Sequence, residues 1–195
     1  MKTHPWQPII LKNTKKLIVG TLPPKSAKFY FSNSTKTRLW DLLFSIQNNL
    51  DYVVQGSNDL SDEEKRNLFE NLNLGIADVT YEFERDKEDS VEDKHIDPKQ
   101  YRNLLTLIEG TEIDEVLFVY KNAAKWFLHS LTGEPPVRVA KLNDKIEPGT
   151  FEEKIIGDRK IKFTLMQSVL NRSRIKGETL NKRLEIYREK IKYTL

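Results

Sequence analysis

Glu115-Val-Leu-Phe-Val-Tyr120, followed directly by Lys121-Asn122-Ala-Ala-Lys-Trp-Phe127, decides the fold class. After Glu115, the five residues Val116 to Tyr120 are mostly β-branched or aromatic and form an unbroken apolar run of strand length. That is the signature of a strand buried on both faces. Asn122 then opens a segment in which Ala123, Ala124, Trp126, Phe127 and Leu131 recur at helical spacing. A buried strand that feeds a helix is the repeating unit of a parallel sheet.

The same alternation continues upstream. Lys16-Leu-Ile-Val-Gly20 reads as a second buried strand, and Thr21-Leu-Pro-Pro24 after it must be irregular, because two prolines fix φ and remove donors. From Thr37 the positions Leu39, Trp40, Leu42, Leu43, Ile46 and Leu50 predict a helix to about Asn48 or Asn49. Ser61-Asp-Glu-Glu64 is a capping box that starts another helix carrying Leu68, Phe69 and Leu72. Leu74-Gly-Ile-Ala-Asp-Val79 reads as a strand or strand end, and the charged stretch from Tyr81 to Asp97 as a loop. Pro98 suits the first turn of a helix through Leu104, Leu105 and Ile108.

Downstream, Val137 to Leu142 is a plausible strand, and residues 152–165 read as two strands around a Gly157-Asp158 turn. Glu178 to Ile191 is a closing amphipathic helix. The expected fold class is therefore α/β, a three-layer α/β/α sandwich with a central, mainly parallel sheet, in one domain over residues 1–195. In such sheets ligands bind beyond the carboxyl ends of the strands. The residues to interrogate are thus Thr21 to Pro24, Asp78 to Tyr81, Lys121-Asn122, and Met166 onward.

Composition narrows the chemistry. The 195 residues include no cysteine, which removes disulfides, thiolate metal sites and a Cys nucleophile. His4, His95 and His129 fit no zinc-ligand spacing, so no metal site is expected. No apolar run approaches membrane-spanning length, and Met1 to Gln7 carries no signal-peptide core; the default expectation is a cytoplasmic protein without a membrane partner. The net charge of +3 conceals an asymmetry. Residues 1–50 hold eight Lys/Arg against one acid, residues 51–100 six against fifteen, and residues 151–195 twelve against six. If the two basic ends met in the fold, they would offer a cationic face to a polyanion; dispersed, solvated lysines are the plainer outcome.

Neither G-x-G-x-x-G nor GxxxxGK[ST] occurs, so dinucleotide and nucleoside triphosphate readings are weak. Lys28-Phe-Tyr-Phe-Ser-Asn-Ser-Thr-Lys-Thr-Arg-Leu-Trp40 interleaves aromatics with basic residues, a combination that can stack bases and meet phosphates. A core role for Phe29 and Phe31, with Tyr30 at the surface, accounts for it equally well. Asn122 offers donors and an acceptor to a base edge, yet Asn ahead of a helix is also a favoured N-cap.

In order, Leu17-Ile-Val-Gly-Thr-Leu-Pro-Pro24, Phe29-Tyr30, Lys36-Thr-Arg-Leu-Trp40, Gly75-Ile-Ala-Asp-Val79, Leu117-Phe-Val-Tyr-Lys-Asn122 and Phe163-Thr-Leu-Met-Gln-Ser-Val-Leu-Asn171 span almost the whole chain. That set resembles the uracil-DNA glycosylase superfamily, most closely its hypoxanthine-DNA glycosylase-like branch, with substituted catalytic motifs. The resemblance implies a cofactor-independent DNA glycosylase that hydrolyses the N-glycosidic bond of a deaminated base, uracil or hypoxanthine, with damaged DNA as partner. It implies that Gly20 and Thr21 shape the pocket, Tyr30 stacks the base and Asn122 reads it. Ungapped alignment on Trp40 puts Thr37 at the water-placing position, with Asn33 and Asp78 as the other candidates; Leu22 stands where other branches carry a polar group. Ser168 and Asn171 fall in the DNA-contacting loop, where Met166 or Leu170 is the candidate wedge. Arg172, Arg174 and Lys176 are candidate phosphate contacts. The alternative implied by the substitutions is a catalytically inactive member that binds nucleic acid or a nucleotide.

Overall fold

The structure, a computed structural model, describes residues 1–31, 37–170 and 179–192. In chain order the elements are β1 (Lys2–Thr3), β2 (Lys16–Gly20), α1 (Leu39–Gln47), α2 (Asp62–Asn71), β3 (Leu74–Asp78), β4 (Thr80–Arg85) and β5 (Ile96–Tyr101). They continue with α3 (Leu104–Ile108), β6 (Glu115–Phe118), α4 (Lys121–Ser130), β7 (Gly149–Ile156), β8 (Arg159–Leu165) and α5 (Leu180–Lys192).

The central sheet has the order β3-β2-β6-β8-β7. β3, β2, β6 and β8 run parallel, and β7 folds back antiparallel along β8 as an edge hairpin. β2, β3 and β6 are buried at every position, as strands covered on both faces must be. Alternation along each strand sorts side chains between two cores. Ile18 and Leu117 join Trp40, Phe69 and Tyr187 on the side of α1, α2 and α5. Leu17, Val19, Val116 and Phe118 join Trp126, Phe127 and Phe163 on the side of α3 and α4. The capping box of α2 forms as its sequence requires, with Ser61 Oγ accepting from Glu64 N and Glu64 reaching back to Ser61 N. Among the described residues no helix is long and apolar enough to cross a membrane.

At the amino ends of β2 and β6, the buried Glu115 carboxylate accepts from Lys16 at 3.0 Å, Lys190 at 3.0 Å and Thr164 at 2.5 Å. Burial alone would push its pKa up, but these contacts outweigh burial and hold it below the ordinary glutamate value.

Three expectations are corrected. The stretch from Tyr81 to Asp97 is not a loop throughout: β4 pairs β5 antiparallel, and β1 adds to β4 as a third strand. Phe83 supplies the buried face, while Glu84, Asp86 and Asp97 are held in ion pairs. Lys99 meets Glu84 and Asp97, and Arg138 meets Asp86 and Asp97. Lys2 and Lys25 both bind Glu88, drawing its pKa down to about 2. Lys2 and Lys25 therefore neutralise part of the acidic stretch.

Pro98, expected to open a helix, lies in β5 on the edge of this small sheet, where a missing N–H costs no ladder bond. Asn103 instead caps α3 through Thr106 N. Val137 to Leu142 is not a strand; residues Val139–Lys141 form a 3-10 turn. Side chains take over the backbone groups that a ladder would satisfy: Trp126 Nε1 donates to Val137 O, Tyr101 Oη accepts from Val137 N, and Lys125 Nζ donates to Leu142 O.

Candidate functional site

The carboxyl ends of the parallel strands finish level with one another, since Gly20 pairs with Asp78 and Val19 with Phe118. Chain reversal at these ends brings Gly20-Thr21, Asp78 and Tyr120-Asn122 together. Gly20 is obligatory for steric reasons. A Cβ there would lie 2.3 Å from Asp78 Oδ1 and 2.7 Å from Phe31 Cζ. The Asp78 carboxyl and the Phe31 ring thus close on the Gly20 backbone. Phe31, at φ 54, is half-buried and tilts against Tyr120 at 5.8 Å.

Asp78 belongs to a buried dyad. Its Oδ2 accepts from His4 Nε2 at 2.9 Å, with the two side chains 4% and 0% exposed. The other His4 nitrogen, Nδ1, faces the Trp6 backbone. Oδ1 of Asp78 accepts no hydrogen bond from a protein group among the described residues. Arg102 Nε donates to the Asp78 carbonyl at 3.2 Å and so fixes the strand end.

Asn122 faces a second carboxyl. Its Nδ2 donates to Asp93 Oδ2 at 2.8 Å. Tyr120, not Asn122, occupies the N-cap of α4, and no side chain caps that helix, so the capping explanation of Asn122 fails. Asp93 begins the 3-10 turn Asp93–His95 between β4 and β5. Burial pushes the Asp93 pKa up, and nearby Asp78 adds to this; contacts from Asn122 and Thr21 and the charge of Arg85 oppose the rise. The residue is half-buried, with its carboxyl turned toward Asn122 and Thr21. Arg85 Nη1 donates to Pro23 O at 2.8 Å and Glu88 O at 3.1 Å, which brings a cation beneath the Gly20–Pro24 turn. Burial, with Asp93 and Asp78 nearby, raises the Tyr120 phenol well above its ordinary value, so it stays protonated.

Of the sequence-predicted residues, Gly20, Thr21, Asp78 and Asn122 converge here. Tyr30 is adjacent, but it is 1% exposed, and its ring lies against His4 at 5.6 Å and Trp6 at 5.1 Å. Its phenol donates to Gln7 O, and burial above all raises its pKa. Tyr30 is therefore almost wholly covered; Phe31 is the aromatic beside Gly20, and Phe29 is a core residue. Thr37 is buried and donates from Oγ1 to Phe31 O at 3.1 Å, while its backbone bridges Leu170. It fastens two loops together. Leu22 belongs to the core, as does Met166, whereas Leu170 is 39% exposed. Ser168 is exposed, and its Oγ accepts from Leu170 N. Arg183 holds this turn through the carbonyls of Ser168 and Leu170. Asn33, Asn171, Arg172, Arg174 and Lys176 lie outside the described residues.

Sequence reasoning missed His4 and Asp93. In sequence His4 is an isolated histidine near the amino terminus, and Asp93 is one acid in a long acidic run. Among the described residues no three His, Cys, Asp or Glu side chains are grouped to hold a metal ion.

A groove of about 340 Å³ is lined by Tyr30 together with Trp6, Gln7, Lys28, Phe29 and Arg66 among others. None of Gly20, Asp78, Asp93 or Asn122 lines it. The chemistry concentrates at the strand ends, where an amide and two carboxyls meet in a low-dielectric setting.

No protein-family model and no curated protein matches this sequence. Among solved structures, the chain is similar to the solution NMR structure of a Methanosarcina acetivorans protein provisionally named a uracil DNA glycosylase, at 15% sequence identity and a TM-score of 0.63. The superposition covers 98% of each chain. From end to end, this chain has the mixed α/β fold of that protein.

Proposed function

We propose that the chain is a DNA glycosylase-like protein, acting as one unit over residues 1–195, whose base pocket lies at the carboxyl ends of β2, β3 and β6. One observation carries the reading. The Asn122 amide, the Asp78 carboxyl and the Phe31–Tyr120 aromatic pair meet around Gly20, a residue that admits no side chain. The fold shared with the Methanosarcina acetivorans protein supports it.

In this reading a deaminated base, uracil or hypoxanthine, leaves the DNA stack and lies beyond the strand ends beside Thr21 and Asn122, with Phe31 between it and the Gly20 backbone. Phe31 stacks on it and Asn122 hydrogen-bonds its edge. The glycosidic bond breaks with its electron pair going to the base, and N–H donors around Asn122 stabilise the resulting anion. Oδ1 of Asp78 orients a water toward the sugar C1′; the water oxygen bonds to C1′, and its proton passes to Asp78 and then to solvent. His4 keeps that carboxyl in place. The exposed Leu170 enters the gap left in the stack, and Ser168, with Asn171, Arg172, Arg174 and Lys176, meets the backbone.

The second reading is binding without hydrolysis. It is favoured by the burial of Asp78, whose side chain is 4% exposed and already committed through one oxygen to His4. Duplex and single-stranded oligonucleotides containing uracil, hypoxanthine or xanthine separate the two. Abasic product that disappears in Asn122→Ala supports hydrolysis. Salt-dependent binding with no abasic product supports the second reading, and no binding to any oligonucleotide defeats both.

A further inference from the structure

We infer that Asp93 is a positioning residue that fixes which way round the Asn122 amide lies, and thereby which base edge the site accepts. The inference deepens the reading of Asn122 as the base-facing group and rests on it.

An Asn side chain presents an oxygen and an NH2 of nearly equal size, so an isolated amide can turn over and serve either of two opposite hydrogen-bond patterns. Here it is held. Nδ2 donates to Asp93 Oδ2 at 2.8 Å, and an ionised carboxylate can only accept. Turning the amide over would set Oδ1 against that carboxylate and lose a charge-assisted bond.

Both partners are anchored. Asn122 lies in the first turn of α4. Asp93 is held by the 3-10 turn, in which His95 N bonds Glu92 O and His95 O accepts from Asp86 N, and its carboxyl also meets Thr21. Thr21 directly follows β2, so the strand that bears Gly20 braces the same carboxyl.

With one N–H engaged, Asn122 has Oδ1 and its second N–H left to offer. That pair complements a lactam edge, in which a ring N–H stands beside a C=O. Uracil, hypoxanthine and xanthine carry this edge. Cytosine and adenine carry the reverse, an unprotonated ring nitrogen beside an NH2, and would need the amide turned over. Asp93 thus lets the site separate a deaminated base from its parent without touching the base.

The test compares wild type with Asp93→Asn, which keeps shape and hydrogen-bonding capacity but accepts either amide orientation, and with Asp93→Ser, which releases the amide. Binding is measured to otherwise identical single-stranded oligonucleotides carrying one uracil or one cytosine, and again hypoxanthine or adenine. Side-chain ¹⁵N–¹H spectra of Asn122 report its environment independently of any ligand. The expected result is a lactam preference in wild type that falls about ten- to a hundredfold in both variants, with the Asn122 side-chain resonances shifted and the fold retained.

A preference unchanged in the variants overturns the role of Asp93 and leaves the base-binding reading standing. Wild type that binds uracil and cytosine equally has the same consequence. Wild type that binds none of these oligonucleotides removes the base-binding reading, and the inference with it.

Discussion

Replacing His4 tests the dyad most directly. In His4→Ala the 2.9 Å bond to Asp78 is lost, and a carboxyl with 4% exposure is left with no side-chain donor. A hydrogen bond to a charged group contributes about 1.5–3 kcal/mol, and stranding a buried partner brings the loss to about 3–5 kcal/mol. Removing the ring stacked on Tyr30 at 5.6 Å adds up to ~1 kcal/mol. His4→Gln retains an N–H donor and should recover most of the difference. Urea unfolding followed by tryptophan fluorescence measures each loss. Trp6 lies beside the dyad, while Trp40 and Trp126 sit in the cores on opposite faces of the sheet, so local and global unfolding are separable. In a double-mutant cycle with Asp78→Ala the coupling should be about 1.5–3 kcal/mol. Coupling below about 0.5 kcal/mol would refute the dyad as an energetic unit.

Three further outcomes are expected. Gly20→Ala forces Asp78 Oδ1 or Phe31 aside by about 1 Å and should cost about 1–3 kcal/mol in urea unfolding, along with any base binding; wild-type stability would show that the strand ends have slack. Glu115 has a depressed folded-state pKa, so its stabilisation is present above the ordinary glutamate value and lost as pH falls through the folded one; Glu115→Gln should lower stability at pH 7 and flatten that acid limb in a pH series of urea midpoints. Asp93 is the opposite case: its raised pKa means the ionised form costs stability at neutral pH, so Asp93→Asn should raise Tm at pH 7 by a few degrees, with the gain shrinking as pH falls and the wild-type carboxyl protonates; a lowered Tm at pH 7 would count against the buried placement of that carboxyl.

The sheet was legible because its strands are buried on both faces. Leu17-Ile-Val, Leu74-Gly-Ile-Ala and Val116-Leu-Phe are continuous apolar runs, and little else of that length suits them. The hairpin was legible from Gly157, which takes φ 64 in its turn. β4 and β5 escaped because their outward faces carry Glu84, Asp97 and Lys99, whose pairing across the ladder no linear pattern reveals. Val137 misled because Tyr101 and Trp126, distant in sequence, satisfy its backbone.

The site divides along the same line. Gly20, Thr21, Asp78 and Asn122 could be named because they follow strands, and topology alone brings strand ends together. Asp93 and His4 reach the site through tertiary contacts of the small second sheet. The exchange of Tyr30 for Phe31 as the aromatic at Gly20 follows from the positive φ of Phe31, which local sequence does not announce.

The two-residue strand β1 has a practical side for anyone handling this protein. His4 is delivered to Asp78 by a segment whose ladder to β4 comprises only Lys2 and Thr3, with the Met1 amine 4.0 Å from Glu84. An affinity handle or fluorophore attached at Met1 would therefore tug on the histidine that props up the Asp78 carboxyl, and under the proposed reading it would weaken base binding without unfolding anything. Preparations trimmed by proteases at the amino end should be checked by mass before any negative result is believed.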